Sequence, residues 1–130
     1  MHSSFLMKIF LDTADTDIIS KYFSTGLVDG VTTNPTLIMK SGKNPEDVYQ
    51  TIKDIGVRDI SMEVVGSDLE MYDEGLRLYQ KFGDVATIKV PCTREGLIVC
   101  KRLSEQGIKV NVTLIFSAAQ AVLAAKSGAT

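Results

Sequence analysis

The sequence predicts an α/β fold in which about five βα units follow one another on a parallel sheet. Short apolar runs alternate with longer amphipathic runs along the chain, which is typical of strands that alternate with helices. Several of the short runs are apolar at nearly every position, as expected for parallel strands that are covered on both faces. A glycine also follows each predicted helix, where a residue in the left-handed conformation commonly ends the helix.

The predicted strands cover residues 8–12, 30–33, 59–64, 85–90 and 109–114, and the predicted helices about 16–25, 45–55, 69–82, 94–106 and 118–127. Asn44 and Pro45 predict an N-cap followed by a proline in the first helical turn. Residues 67–70 and 117–120 match the capping box, in which two polar side chains bind the first backbone N–H groups of a helix. The glycines that follow the helices are Gly26, Gly56, Gly83, Gly107 and Gly128.

No linker or low-complexity stretch interrupts the chain, so we predict one domain over residues 7–130 and an N-terminal extension over residues 1–6. Five βα units cannot close an eight-stranded barrel, which takes roughly 250 residues. Two architectures therefore stay open, a partial β/α barrel truncated at its C-terminal end and a five-stranded open sheet. The last three residues follow a predicted helix at the point where another strand is expected, which favours the truncated barrel.

The composition of the 130-residue chain is that of an ordinary globular protein, with 45% hydrophobic and 23% charged residues. The 14 Lys and Arg residues are dispersed, and with 16 Asp and Glu residues they give a net charge of −2. Nucleic-acid binding needs a concentrated basic surface, so we do not expect nucleic acid as a partner. No apolar run approaches the roughly 20 residues that span a bilayer. The N-terminus also lacks a signal-peptide core, so we expect a cytoplasmic protein without membrane contact.

The side chains available for chemistry exclude several kinds of site. Cys92 and Cys100 have neither the spacing of a metal site nor that of a disulfide framework, and we expect two reduced thiols. His2 is the only histidine and lies in the predicted extension. We therefore expect no metal site and no Ser-His or Cys-His nucleophile pair. Acid–base chemistry must come from Lys, Asp, Glu or Tyr.

The predicted strands carry polar side chains within them or at their C-terminal ends, where the active sites of parallel α/β proteins form. Asp12 ends the first strand, where it could instead cap the following helix. Asn34 follows the second strand and precedes a proline, where it could simply form a turn. Glu63 lies in the third strand, and a buried carboxylate is rare unless it is paired or functional.

Lys89 in the fourth strand is the most informative of these residues. It lies between Ile88 and Val90, and strand alternation directs its side chain to the face opposite theirs. A lysine that faces a barrel interior loses hydration, which favours the neutral amine that attacks carbonyl groups. A lysine that extends to solvent from a strand end is the structural alternative. In the fifth strand, Asn111 and Thr113 share one face because they are two residues apart.

If the strands pair in order, an amine, two carboxylates, two amides and a hydroxyl converge on one pocket. This set of groups suits Schiff-base chemistry on a polyhydroxylated carbonyl compound, without a metal. At these positions the sequence resembles the transaldolases, in particular the small subfamily that includes fructose-6-phosphate aldolase. The matching stretches are residues 11–13, 30–36, 88–91, 95–96, 111–117 and 119–120. The resemblance implies a (βα)8 TIM barrel of the class I aldolase type, with about five βα units in this chain.

The resemblance implies a role for each candidate residue. Lys89 would form the Schiff base with a ketose phosphate, while Glu63 and Thr113 would transfer protons through a water molecule. Asp12 would remove the proton of the C4 hydroxyl and so break the C3–C4 bond. No cofactor is implied, because the protonated imine itself withdraws the electrons.

The resemblance also implies that Asn34 and Asn111 hold the dihydroxyacetone unit until an acceptor aldehyde arrives. In this subfamily the transaldolases carry Glu where the fructose-6-phosphate aldolases carry Gln. Glu63 therefore favours a transaldolase of the pentose phosphate pathway, and Asn111 points the same way. The alternatives are a fructose-6-phosphate aldolase and a non-catalytic half-barrel.

Members of the resembled family continue for three more units, which supply the groups that bind the substrate phosphate. We therefore expect sugar phosphate substrates and, as in the small family members, a homo-oligomer. For these 130 residues alone we expect poor activity and aggregation through an exposed strand edge.

Overall fold

A computed structural model describes residues 7–113 and 118–130, apart from the side chains of residues 118–121. The strands in this part of the chain are β1 (Phe10–Asp12), β2 (Gly30–Thr32), β3 (Ile60–Glu63), β4 (Ala86–Pro91) and β5 (Lys109–Thr113). The α-helices are α1 (Thr16–Phe23), α2 (Pro35–Lys40), α3 (Pro45–Ile55), α4 (Asp68–Phe82), α5 (Arg94–Glu105) and α6 (Ala118–Lys126). The strands form one parallel sheet in the order β1-β2-β3-β4-β5, so the predicted α/β class is confirmed. None of the helices described combines the length and apolar character that crossing a membrane requires.

Helix α2 was not predicted, since a turn was the structural alternative considered for Asn34 before Pro35. The Asn34 side chain instead caps this short helix, with Pro35 in the first turn. The same Asn-Pro pair was correctly interpreted at Asn44 and Pro45, where α3 begins. The strand predicted at residues 85–90 is shifted by one residue, since Val85 belongs to a 3-10 turn and β4 extends to Pro91.

The chain forms two compact units, Met1–Ile60 and Ser61–Thr130. In the first unit β1 and β2 pair in parallel, with Asp12 beside Thr32. Asp29 attaches the start of β1 twice, because its N–H donates to the Ile9 carbonyl at 2.8 Å and its carboxylate accepts the Ile9 N–H at 2.6 Å. The core of this unit contains Ile19, Val31, Ile38, Val48, Tyr49, Ile52, Val57 and Ile60.

In the second unit β4 and β5 pair in parallel, and their side chains alternate between two environments, with one exception in β4. One face is fully or almost fully buried and contacts α4 and α5, whereas the other face is half-buried apart from Thr87. The buried face carries Ile88, Val90, Val110 and Val112, which pack in the core with Met71, Leu78, Phe82, Val99 and Leu103. The two helices therefore decide which face of these strands can hold polar groups.

The predicted capping box at residues 67–70 is confirmed. The Glu70 N–H donates to the Ser67 hydroxyl at 3.1 Å, and the Ser67 N–H donates to the Glu70 carboxylate at 3.0 Å. The backbone hydrogen bond from Ser67, helped by its side chain, lowers the pKa of Glu70, so the carboxylate form that closes the box is favoured. The second predicted box, at residues 117–120, begins outside the described residues. All five helix-terminating glycines have positive φ, from 74° to 112°, as predicted.

Gly96, in the first turn of α5, allows this helix to approach the end of β4. A Cβ at this position would lie 1.9 Å from the carbonyl oxygen of Pro91, a backbone atom that cannot move without moving the strand. The Gly96 N–H donates to the Thr93 hydroxyl at 3.0 Å, which caps the helix. The contact therefore fixes α5 against the strand that carries Lys89.

We predict that Gly96→Ala lowers the free energy of unfolding by at least about 1–3 kcal/mol, because either the helix or the strand end must shift. Urea unfolding measures this change. The matched control is Gly75→Ala in α4, where the added Cβ would lie 2.8 Å from the end of the Leu103 side chain and 3.4 Å from Cγ2 of Ile88, and would meet no backbone atom this close. Leu103 can move, and alanine favours the helix by about 1 kcal/mol, so the control should stay close to the parent protein. Equal losses in the two variants would contradict the proposed backbone contact.

Candidate active site

Three of the candidate residues form a row across neighbouring strands of the second unit. Lys89 on β4 is in register with Asn111 on β5. The Val64 N–H donates to the Lys89 carbonyl at 3.1 Å, and in a parallel ladder this bond places Glu63 beside Lys89. Neighbouring strands lie about 4.8 Å apart, so Glu63, Lys89 and Asn111 succeed one another at that spacing on one face.

Thr113 lies one step further along the same face, in register with Pro91. Its hydroxyl donates to the Val90 carbonyl at 3.3 Å, and its own carbonyl accepts the Cys92 N–H at 2.9 Å. The side chain is thus attached to the end of β4, close to the row that contains Lys89. Cys92 is half-buried at the point where the chain leaves β4.

The row lies on the half-buried face of the strands, opposite the face that packs against α4 and α5. Lys89 is half-buried, whereas its neighbours Ile88 and Val90 are completely buried. The described residues therefore enclose the Lys89 side chain only in part. An amine with a carboxylate on one side and an amide on the other can attack a carbonyl group, exchange protons and hold a hydroxylated ligand.

Asp12 lies at the end of β1 in the first unit, with an exposed side chain. The alternative that it caps the following helix is wrong, because Asp15 caps α1 by accepting the N–H groups of Asp17 and Ile18. Asp12 instead accepts a hydrogen bond of 3.0 Å from the hydroxyl of Thr32, its register partner on β2. Thr32 was missed in the sequence because its contact depends on strand register, although it is a polar residue in an apolar strand.

Asn34 is exposed, and its side-chain oxygen accepts the N–H groups of Thr36 and Leu37 at 3.0 and 3.3 Å. This contact makes it the N-cap of α2, so the carbonyl side of the amide is already used. The amide nitrogen is the part of the side chain left to donate to a ligand.

The fold and this row define a class of protein, namely a parallel α/β protein with a lysine between an acid and an amide on its strands. Residues 9–130 match the family described as Transaldolase/Fructose-6-phosphate aldolase. The chain belongs to this family, and its five-stranded sheet with alternating helices is consistent with part of a TIM barrel.

Curated relatives support the same assignment. A protein of Nitrosopumilus maritimus named "Probable transaldolase" is 55% identical over 124 residues, which are 95% of this chain and 55% of the relative. Proteins of the same name from Anaeromyxobacter dehalogenans and Paracoccus denitrificans are each 54% identical over 125 residues, which are 95% of this chain and 57% of each relative. The chain thus spans about half the length of the curated relatives it matches.

We predict that Asn34→Asp changes the free energy of unfolding by less than about 0.5 kcal/mol, because Asp and Asn cap helices equally well. For the ketose phosphate that the family resemblance implies as a substrate, binding should weaken about tenfold or more, because the variant replaces the amide donor by a carboxylate. Thermal unfolding and the KM for fructose 6-phosphate measure the two effects.

Asn44→Asp is the matched control, since Asn44 caps α3 through the same Asn-Pro pair. It should leave both stability and KM close to those of the parent. An unchanged KM in Asn34→Asp would limit the role of Asn34 to capping.

Proposed function

We propose that this chain carries the covalent chemistry of a transaldolase in the non-oxidative pentose phosphate pathway of the cytoplasm. The protein would transfer a dihydroxyacetone unit from fructose 6-phosphate or sedoheptulose 7-phosphate to an aldose phosphate. The observation that supports this most strongly is the row of Glu63, Lys89 and Asn111 in a member of this family. A homo-oligomer stays a prediction.

The first step is attack of the Lys89 amine on the C2 carbonyl of the ketose. A proton leaves the nitrogen of this adduct and one reaches its oxygen, which gives the carbinolamine. Delivery of a further proton to the hydroxyl then releases water and leaves the protonated imine. Glu63 is the neighbour of Lys89 in the ladder, which suits it to these transfers. Thr113 would hold the water through which these protons pass, because its hydroxyl is attached at the end of the same strand.

The second step is cleavage of the C3–C4 bond. Asp12 would remove the proton of the C4 hydroxyl, so that C4 becomes an aldehyde and the bonding electrons pass to the protonated imine. The aldose phosphate then leaves, and the three-carbon enamine stays on Lys89. Asn34 and Asn111 would hold this unit until an acceptor aldehyde reverses the step. No cofactor is required by the proposal, since the imine accepts the electrons.

The description of the family also includes fructose-6-phosphate aldolase, in which the dihydroxyacetone unit is released to water. The carboxylate of Glu63 supports the transaldolase alternative, because the resembled aldolases carry Gln at this position. The shared name of the relatives, "Probable transaldolase", points the same way. A half-barrel without catalysis is the third alternative, and trapping of a sugar unit on Lys89 would exclude it.

We predict that sodium borohydride in the presence of dihydroxyacetone attaches one reduced three-carbon unit to Lys89, as found by peptide mapping and mass spectrometry. Dihydroxyacetone carries no phosphate, so this test does not depend on phosphate contacts. Lys89→Met should abolish the adduct. Lys109→Met is the matched control, because Lys109 occupies the same face of the neighbouring strand, in register with Thr87. Failure to trap an adduct in the parent protein would falsify the proposal, and so would an adduct that persists in Lys89→Met.

We predict further that the protein transfers the three-carbon unit to erythrose 4-phosphate faster than it releases dihydroxyacetone into water. Glu63→Gln should shift this ratio towards release, because the resembled aldolases carry an amide here. Both products are measured by chromatography in one reaction that starts from fructose 6-phosphate. Release without transfer in the parent protein would favour the aldolase alternative.

A further inference from the structure

We infer that Thr32 is a positioning residue for Asp12, which it holds in the orientation that breaks the C3–C4 bond. The inference rests on the proposed function, because it concerns the residue that acts as base in the cleavage step. It starts from one contact, the hydrogen bond of 3.0 Å from the Thr32 hydroxyl to Oδ1 of Asp12.

The contact follows from the pairing of β1 with β2. Asp12 and Thr32 are opposite each other in this parallel ladder, so their side chains leave the sheet on the same face. Asp12 is exposed, and an exposed carboxylate on a short strand otherwise rotates among several conformers. The hydroxyl on the neighbouring strand selects one of them.

Thr32 is itself held firmly. Val31 and Thr33 on either side of it are 0% and 1% exposed, and their side chains occupy the opposite face of the strand. The Val31 N–H also donates to the Asp59 carbonyl at 2.8 Å, which attaches β2 on the side away from β1. Because threonine is branched at Cβ, few rotamers are open to it once its backbone is fixed.

The position of β1 is fixed as well. Asp29 binds the N–H and the carbonyl of Ile9, three residues before Asp12. After Asp12 the Asp15 N–H donates to the Thr13 hydroxyl at 3.1 Å, which constrains the segment between β1 and α1. The backbone on both sides of Asp12 is therefore ordered, and the remaining freedom lies in its own side chain. That is the freedom removed by the bond from Thr32.

The hydrogen bond also distinguishes the two carboxylate oxygens. Oδ1 accepts the hydrogen bond from the Thr32 hydroxyl, which keeps its proton. Oδ2 is therefore the oxygen left to take the proton of the C4 hydroxyl. The proton passes from the C4 oxygen to Oδ2, the C4–O bond becomes a carbonyl, and the C3–C4 electron pair moves to the protonated imine on Lys89. When the acceptor aldehyde adds, the same proton returns to the new hydroxyl.

Thr32→Val removes the hydroxyl but keeps the shape of the side chain. We expect kcat for transfer from fructose 6-phosphate to fall about 10- to 100-fold, with KM within about threefold, because a misplaced base affects cleavage more than binding. Thr32→Ser restores the hydroxyl and should recover most of kcat. Borohydride trapping of dihydroxyacetone on Lys89 should proceed at the parent rate in both variants, because that step precedes cleavage.

Thr51→Val is the matched control, since the Thr51 hydroxyl also donates a hydrogen bond, of 3.0 Å, but to the Asp47 carbonyl within α3. It should leave kcat unchanged. A kcat within twofold of the parent in Thr32→Val would overturn the inference. A trapping rate that falls as much as kcat would also overturn it, because Thr32 would then act on an earlier step or on the fold. Absence of trapping in the unsubstituted protein would instead refute the proposed function.

A second measurement does not depend on activity. Crystal structures of the parent protein and of both Thr32 variants should show one Asp12 rotamer in the parent and in Thr32→Ser, and several or a different one in Thr32→Val. The same single rotamer in Thr32→Val would show that the hydroxyl does not position Asp12, and the inference would be wrong.

Discussion

The parallel hydrogen-bond ladder around β4 is the constraint on which the candidate site depends. The bond from the Val64 N–H to the Lys89 carbonyl and the pairing of Lys89 with Asn111 fix three side chains in one row. A shift of the register by one residue would send Lys89 to the face covered by α4 and α5 and expose Ile88 in its place. The burial of the apolar side chains therefore also fixes the position of the polar ones. Stability and chemistry rest on the same alternation, and Gly96 adds to it by allowing α5 to reach the end of the strand.

Much of this arrangement could be predicted from the sequence, because alternation is a property of neighbouring residues. The polar residues in otherwise apolar strands, Glu63, Lys89, Asn111 and Thr113, all lie on the half-buried face. Which residue stands beside which could not be predicted, since register depends on contacts between distant segments. Thr32 shows this limit, because its relation to Asp12 exists only once β1 and β2 are paired.

The sequence was less informative at residues whose type fits both a structural role, such as a turn or a helix cap, and a role in the site. Asn34 before a proline fits a turn, a helix cap or a ligand contact. The short helix α2 was missed because a cap was not among the alternatives considered for Asn34. Asp12 fits a cap equally well, yet Asp15 three residues later performs that role. The sequence cannot choose between two acidic residues near the same helix start. Strand pairing decides between them: Asp12 is the last residue of β1 and pairs with Thr32, whereas Asp15 lies beyond the strand and caps α1.

Capping also determines what Asn34 can offer to a substrate. An amide has an oxygen that accepts and a nitrogen that donates, and the two are exchanged by a simple rotation. In Asn34 the oxygen accepts two N–H groups at the start of α2, so rotation would place the amide nitrogen against these donors. The helix therefore fixes the orientation, and the nitrogen is the group available to a hydroxylated ligand. In the proposed site, the cap would therefore orient the Asn34 amide for a ligand without a further contact.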